Sequence, residues 1–384
     1  IPALIFHQGV FIAFCEARKD SAADDGNMDI LMRRGRRSSM NNVTWDEPRT
    51  LVSIARKRVM NPTPIVDRKR GALVLVFISL DPWKTEGFLK RQHRYDEAVY
   101  IIKSMDNGLT WSEPVDITSS TLGAMTPIPS MFASGPGHGI QLESGRLIVP
   151  GNVYIKHKDA PKNSQSCFDY SMVLYSDDGG DTWTPGGKVP IKTDTQGIMI
   201  QTNEAQAVEL GSNHVCLNCR TLSELQSRAI SCSWDGGITF GLPKLNAKLV
   251  EPGFWMRKGS ITISGAPGCQ GSTIEFPAPP GTKITHLVRK TWALFSNPAS
   301  MGLRQGESIR ISKDGMNSWS EPWTVHRGNS GYSDLTYFET LDNSNIVQNF
   351  AVLYEKGADT DSAYHDAIVF KTFTLDDVLE NTQL

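Results

Sequence analysis

The chain has 384 residues, with 39 lysines and arginines against 41 aspartates and glutamates, a formal charge of -2, 39% hydrophobic and 21% charged residues. With 9 tryptophans, 33 glycines and 21 prolines, this composition excludes disordered, collagenous and coiled-coil chains. No block of like charges provides a footprint for nucleic acid, and the longest apolar run, near residues 72–80, is about half of what a membrane-spanning helix needs.

In chain order, residues 72–80, 98–103, 146–150, 171–176, 214–219, 308–312 and 368–373 are short, rich in β-branched or aromatic side chains, and bounded by turn residues. They read as strands. A helix is expected only near 375–380, and 266–282 forms a loop rich in glycine and proline. The six cysteines are too sparse for a disulfide framework. Cys216 and Cys219 have CxxC spacing without a second pair and read as core thiols, not metal ligands. The eight histidines form no HExxH-like cluster, so no metal site is expected. One glycosylation sequon stands at Asn42 and matters only in a secreted protein.

Internal repetition is the strongest signal. Ser104 to Trp111 fits S-x-D-x-G-x-T-W, Ser176 to Trp183 fits it again, Ser233 to Phe240 keeps the frame with phenylalanine last, and Ser312 to Trp319 shifts the glycine. An eroded copy ends at Thr44-Trp45. Each copy has the chemistry of a hairpin turn: aspartate accepts backbone N–H bonds, glycine takes positive φ, and the aromatic pins the turn to the layer beneath. Irregular spacing of the copies indicates one supersecondary unit with variable loops. Five such Asp boxes, with a further sheet closed by the termini, predict an all-β, six-bladed β-propeller over residues 1–384 as a single domain.

Alongside the boxes, the chain carries Ile1-Pro2-Ala3-Leu4, Glu16-x-Arg18, Met60-Asn61-Pro62, GPGHGIQL from Gly135, Asn203-Glu204-Ala205-Gln206, Asn218-Cys219-Arg220, GCQGS from Gly268 and Tyr332-Ser333-Asp334. In this order they resemble the exo-α-sialidases, and most closely the animal-type branch, over essentially the whole length. Sialosides carry a permanently ionised carboxylate at the anomeric carbon. A site for them needs planar, always-charged guanidinium groups. The family uses three arginines, and the resemblance maps two to Arg220 and Arg304. The third stands immediately before Ile-Pro in the family, outside the 384 residues, and Glu355 resembles the carboxylate that braces it.

An anionic nucleophile would be repelled by that carboxylate, and sialidases are the exception among glycosidases in using tyrosine. The resemblance makes Tyr332 the nucleophile and Glu204 the base that takes its proton. The acid/base falls on the acidic loop after Arg18, where Asp24 is favoured over Asp25, Asp20 and Asp29. Arg18 would lie near the ring hydroxyl at C4, Asn61 and Met60 at the N-acyl group, and Glu86, Tyr154 and Gln270 on the glycerol or aglycone side, with Glu16 of the Glu-x-Arg motif a further substrate-binding candidate. Asn152 stands where relatives usually carry tyrosine. His138, flanked by glycines, reads as structural.

The implied activity is retaining hydrolysis of terminal sialic acid from glycoproteins, oligosaccharides or gangliosides, with no metal or organic cofactor. Transfer of sialic acid to another sugar is the first alternative. A glycan-binding propeller without turnover is the second, should the leading arginine be lacking. The sparse cysteines together with the resemblance to the animal-type branch favour a cytoplasmic or membrane-peripheral location over a secreted one.

Overall fold

Strand-forming segments separated by tight turns give antiparallel sheets in the computed structural model, which describes residues 1–21, 23–39, 42–159, 166–193, 197–221, 226–257, 260–263, 267–358 and 366–383. Ala22 of the acidic loop and Ala266 of the glycine and proline rich loop lie outside these residues. Blade 1 pairs Pro2–His7, Val10–Arg18 and Met28–Ser39. Blade 2 pairs Arg58–Asp67, Ala72–Leu80, Ala98–Ser104 and Val115–Asp116. Blade 3 runs through Met131–Ser134, Leu147–Lys156, Cys167–Ser176 and Thr184–Lys188, and blade 4 through Thr202–Glu209, Val215–Thr221, Ser227–Ser233 and Lys244–Val250. Blade 5 contains Ser272–Pro277, Thr291–Pro298, Gln305–Ser312 and the start of Trp323–Asp342. The rest of that long strand pairs with Asn345–Lys356, and this in turn with Ala367–Thr374, as blade 6.

These six sheets are the expected propeller. Its core lies between blades, as where Ile65, Val74 and Val76 of blade 2 share one cluster with Leu147 and Val149 of blade 3. The inner strands of blades 1 and 6 meet through Asp334, whose Oδ2 accepts the Leu4 N–H at 2.7 Å. Its Oδ1 accepts the Ser272 hydroxyl at 2.7 Å and faces His138 Nδ1 at 2.7 Å. His138 is therefore a buried structural group tying blades together, as its glycine-flanked setting suggested.

Four of the boxes fold by one hydrogen-bond scheme, whereas the eroded copy ends in the strand Asn42–Trp45, and its residues Met40 and Asn41 lie outside the described residues. In the first, Ser104 Oγ accepts Gly108 N–H at 2.8 Å, and Asp106 accepts the Thr110 N–H at 2.8 Å and its hydroxyl at 2.6 Å. The bonds from Thr110 hold the Asp106 carboxyl down at about 2. The same bonds recur around Asp178, Asp235 and Asp314. Each turn takes two successive residues of positive φ. The shifted fourth box meets this with Gly315 and Met316, where the first uses Asn107 and Gly108.

Three local features differ from expectation or add to it. The terminal helix is Leu375–Asn381, started by a Thr374 capping box with Asp377. A second helix, Glu86–Arg91, was not anticipated, although Thr85 caps it by accepting the Phe88 N–H, and Glu86 and Lys90 are spaced i,i+4. Cys216 is not a free thiol: it forms a disulfide with Cys232. On a strand, residues three apart point to opposite faces, so Cys216 and Cys219 cannot act together. Cys216 instead lies directly across from Cys232, whereas Cys219 is a buried thiol pushed up to about 12.

Glu97 gives the fold a pH signature. Its buried carboxyl accepts the Phe132 N–H at 2.7 Å, yet burial pushes it up from 4.5 to about 8. Between those values the native state holds a proton that the unfolded chain has released, so stability falls as pH rises through the window. The Tm is expected to decline from pH 6 to pH 9, and Glu97→Gln to flatten that decline. An unchanged Tm slope in the variant would place the sensitivity elsewhere.

Candidate active site

On the propeller axis the inner strands bring together residues far apart in the chain. A cavity of about 390 Å³ is lined by Ile1, Arg18, Asp24, Arg58, Met60, Asn61, Glu86, Lys90, Asn152, Tyr154, Asn203, Glu204, Arg220, Arg304, Tyr332 and Glu355, among others. At its floor the Tyr332 hydroxyl donates to Glu204 Oε1 at 2.5 Å. Arg220 Nη1 bridges the pair, 2.6 Å from Glu204 Oε2 and 3.2 Å from the Tyr332 oxygen.

Burial, followed by the charge of Glu204, raises the phenol well above its ordinary pKa against the opposing pull of Arg220 and Arg304. Tyr332 is therefore a phenol at neutral pH, in contact with the carboxylate that can remove its proton. Burial works against the Arg220 charge, but the charge of Glu204 and its hydrogen bond outweigh it and raise its pKa further.

The two arginines are held from behind. Arg220 donates through Nε and Nη2 to the Pro267 carbonyl at 3.1 and 2.8 Å, and Arg304 Nη2 donates to the Gly268 carbonyl at 3.1 Å. Gly268 has φ +79°, and a Cβ there would stand 2.9 Å from Arg220 Nε, so the backbone approaches closely only as glycine. The next residue, Cys269, is fixed in turn by a buried ion pair. Glu251 accepts its N–H at 2.9 Å, and Arg228, 2.9 Å from Glu251, also donates to its carbonyl. Arg304 lies 5.5 Å from the Tyr332 ring centre.

Glu355 fixes the nucleophile candidate from below, accepting the Tyr332 N–H at 2.9 Å. Its other oxygen lies 2.8 Å from the Ile1 nitrogen. A side chain at Gly331 would collide with this carboxylate. Glu16 and Gln270 stand behind the wall and are not among the lining residues. Glu16 accepts the Asn61 N–H at 2.9 Å and pairs with Arg18 at 3.3 Å, while Gln270 accepts the Ser333 N–H at 3.0 Å. Both position neighbours of the cavity.

At the rim, Asp24 Oδ1 pairs with Arg18 Nη2 at 2.5 Å, with its side chain 76% exposed. Among the four carboxylates of that loop, Asp24 lines the cavity. Asp20 is engaged with the Asn27 N–H at 2.8 Å, and Asp29 with Lys19 at 2.5 Å. Opposite, the Tyr154 hydroxyl accepts from Asn203 Nδ2 at 2.9 Å, and Asn203 also donates to Asp169 at 2.6 Å. Burial pushes the Asp169 carboxyl up to about 8. Glu86 is half exposed and paired with Lys90.

Sequence reasoning overlooked Arg58 and Lys90. Arg58 donates to the Asp24 carbonyl and, at 3.2 Å, to Met60 Sδ, which ties the acidic loop to the cavity wall. Its signal was present: positions 58 and 60 share a face of one strand. Lys90 lies 3.9 Å from the Tyr154 ring centre and follows Glu86 by one helical turn.

The fold and boxes define the class, a β-propeller of BNR type: the BNR repeat-like domain matches residues 9–342. Sialidase-3 of Mus musculus is 30% identical over 377 residues, covering 89% of this chain and 85% of the relative. Sialidase-3 of Bos taurus is 29% identical over 100% of the chain and 91% of the relative. A solved Hadza microbial sialidase superposes with a TM-score of 0.69 at 22% identity, over 98% of this chain and 66% of that one. The chain belongs to the animal-type sialidase family of glycoside hydrolases.

Proposed function

We propose that this protein is a retaining exo-α-sialidase acting on terminal sialic acids of glycoconjugates. The observation that carries the reading is the hydrogen-bonded Tyr332–Glu204 pair, bridged by Arg220 at the floor of the cavity. Arg220 and Arg304 bind the substrate carboxylate. Tyr332 attacks the anomeric carbon while Glu204 takes its proton, which avoids both a free phenolate and an anionic nucleophile approaching an anionic sugar. Asp24 protonates the leaving oxygen and then deprotonates the water that cleaves the tyrosyl intermediate. Glu355, which accepts the Tyr332 N–H, takes the place of the carboxylate that in the family braces the arginine before Ile-Pro.

Retention is tested by following the reaction by NMR. Sialic acid released as the α anomer, later converting to β, is the expected result; β product at the earliest times would refute the double displacement. Added lactose separates hydrolysis from transfer, a sialylated lactose product marking the latter. Arg304→Lys is expected to raise KM about tenfold or more with a smaller change in kcat, because lysine keeps the charge but loses the planar fork that grips a carboxylate. Steady-state kinetics check this, and an unchanged KM would remove Arg304 from carboxylate binding.

A further inference from the structure

A second cluster of chemically active side chains lies in blade 4, at the box end of its strands. Cys216 and Cys232 face each other on neighbouring strands, and His214 precedes the first. His214 Nε2 lies 3.5 Å from Cys216 Sγ, and the three donor atoms all fall within 4.8 Å of one another. The imidazole is held flat against Trp234, ring centres 3.6 Å apart and planes 5° from parallel. The group opens into a surface cleft that His214, Cys232 and Trp234 line together with Arg289 and Asp314. The sialidase chemistry uses none of these residues.

We propose that reduction of the Cys216–Cys232 disulfide converts this cluster into a Cys₂His site for a thiophilic divalent cation of the zinc class, with its fourth position open to the cleft. A thiol reductant supplies two electrons and two protons, becoming its own disulfide, and the Sγ–Sγ bond opens to two thiols. The cation then displaces the two thiol protons. In a tetrahedral zinc site with bonds of about 2.0 Å to nitrogen and about 2.3 Å to sulfur, the ligand atoms lie about 3.5 Å apart for N and S and about 3.8 Å for two sulfurs. The His214 to Cys216 edge already has that length. The two sulfurs need only separate, and Cys232, at the cleft, has room to turn.

Charge agrees with the geometry. Two thiolates and a divalent cation sum to zero, so Arg289 in the cleft wall does not oppose the loaded site. The imidazole nitrogen that faces Cys216 Sγ is the one that would donate its lone pair to the cation. Three protein ligands with an open fourth position is an arrangement that zinc accepts.

Cobalt(II) is the probe. The full chain is reduced with a phosphine, freed of reductant and titrated anaerobically with Co²⁺, then Zn²⁺. One Co²⁺ per chain, with thiolate-to-metal charge-transfer absorption that Zn²⁺ abolishes, is expected of the reduced protein and not of the oxidised one. His214→Ala should weaken binding about tenfold or more. The Cys216→Ser/Cys232→Ser double variant lacks the disulfide but also the ligands; it should keep the near-ultraviolet dichroism of the fold and bind no cobalt. Cys15→Ser and Cys167→Ser, which alter the more accessible of the other thiols, should leave the titration unchanged. Equal cobalt binding by reduced and oxidised chains, no charge-transfer band on reduction, or full binding by the double variant would each overturn the proposal.

Discussion

Tyr332→Phe is expected to lower kcat for sialoside hydrolysis by about 10³-fold or more while leaving the chain folded and able to bind sialic acid. The phenol is the atom set against which the site is organised: its proton goes to Glu204 at 2.5 Å, and Arg220 stands 3.2 Å from its oxygen. Phenylalanine keeps the ring and the backbone bond to Glu355 and removes only the oxygen. Glu204 retains its pair with Arg220, so no buried carboxylate is stranded, and the loss of two hydrogen bonds, one to Glu204 and one from Arg220, costs about 2 kcal/mol of stability. A large loss in kcat with little change in Tm or in binding of free sialic acid therefore isolates the nucleophile. Difluorosialic acid adds a second measurement: a sugar mass on the peptide containing Tyr332 in the parent and none in the variant. A loss below tenfold, or label on another residue, would refute the assignment.

The fold was legible because its information is local. Each box encodes a turn through contacts within eight residues, and the copies announce a repeated sheet whose closure follows from the need to remove edges. Even the displaced glycine of the fourth box is consistent, since the turn needs two successive residues of positive φ and Gly315 supplies one.

The cavity was legible in its motifs and not in its geometry. Glu204 and Tyr332 are 128 positions apart, and nothing in spacing brings them together; only resemblance did. What resemblance did not supply were the supports that depend on packing. Gln270 holds the Ser333 backbone instead of lining the cavity, the Arg228–Glu251 pair steadies the loop behind Arg220, and Arg58 anchors the acidic loop. The Cys216–Cys232 bond was missed for a related reason: it depends on the register of two strands, which neither cysteine spacing nor count reveals.

Asp24→Ala is expected to reduce hydrolysis of 3'-sialyllactose by about 10²-fold or more, but hydrolysis of an aryl sialoside with an acidic phenol by less than tenfold in kcat/KM. An alkoxide leaving group needs a proton in the transition state, whereas a stable phenolate leaves without one. The geometry at the rim agrees with such a role. Arg58 fixes the Asp24 main chain, while the side chain, 76% exposed and paired with Arg18 at 2.5 Å, is free to exchange that partner for a leaving oxygen when substrate displaces it. The second half of the reaction gives the variant another signature. Without a base for the incoming water, the tyrosyl intermediate accumulates on the aryl substrate, so KM falls along with kcat, and azide, which needs no deprotonation, should restore turnover. Equal losses for both leaving groups, with no effect of azide, would move the acid/base role from Asp24 to another carboxyl of the same loop.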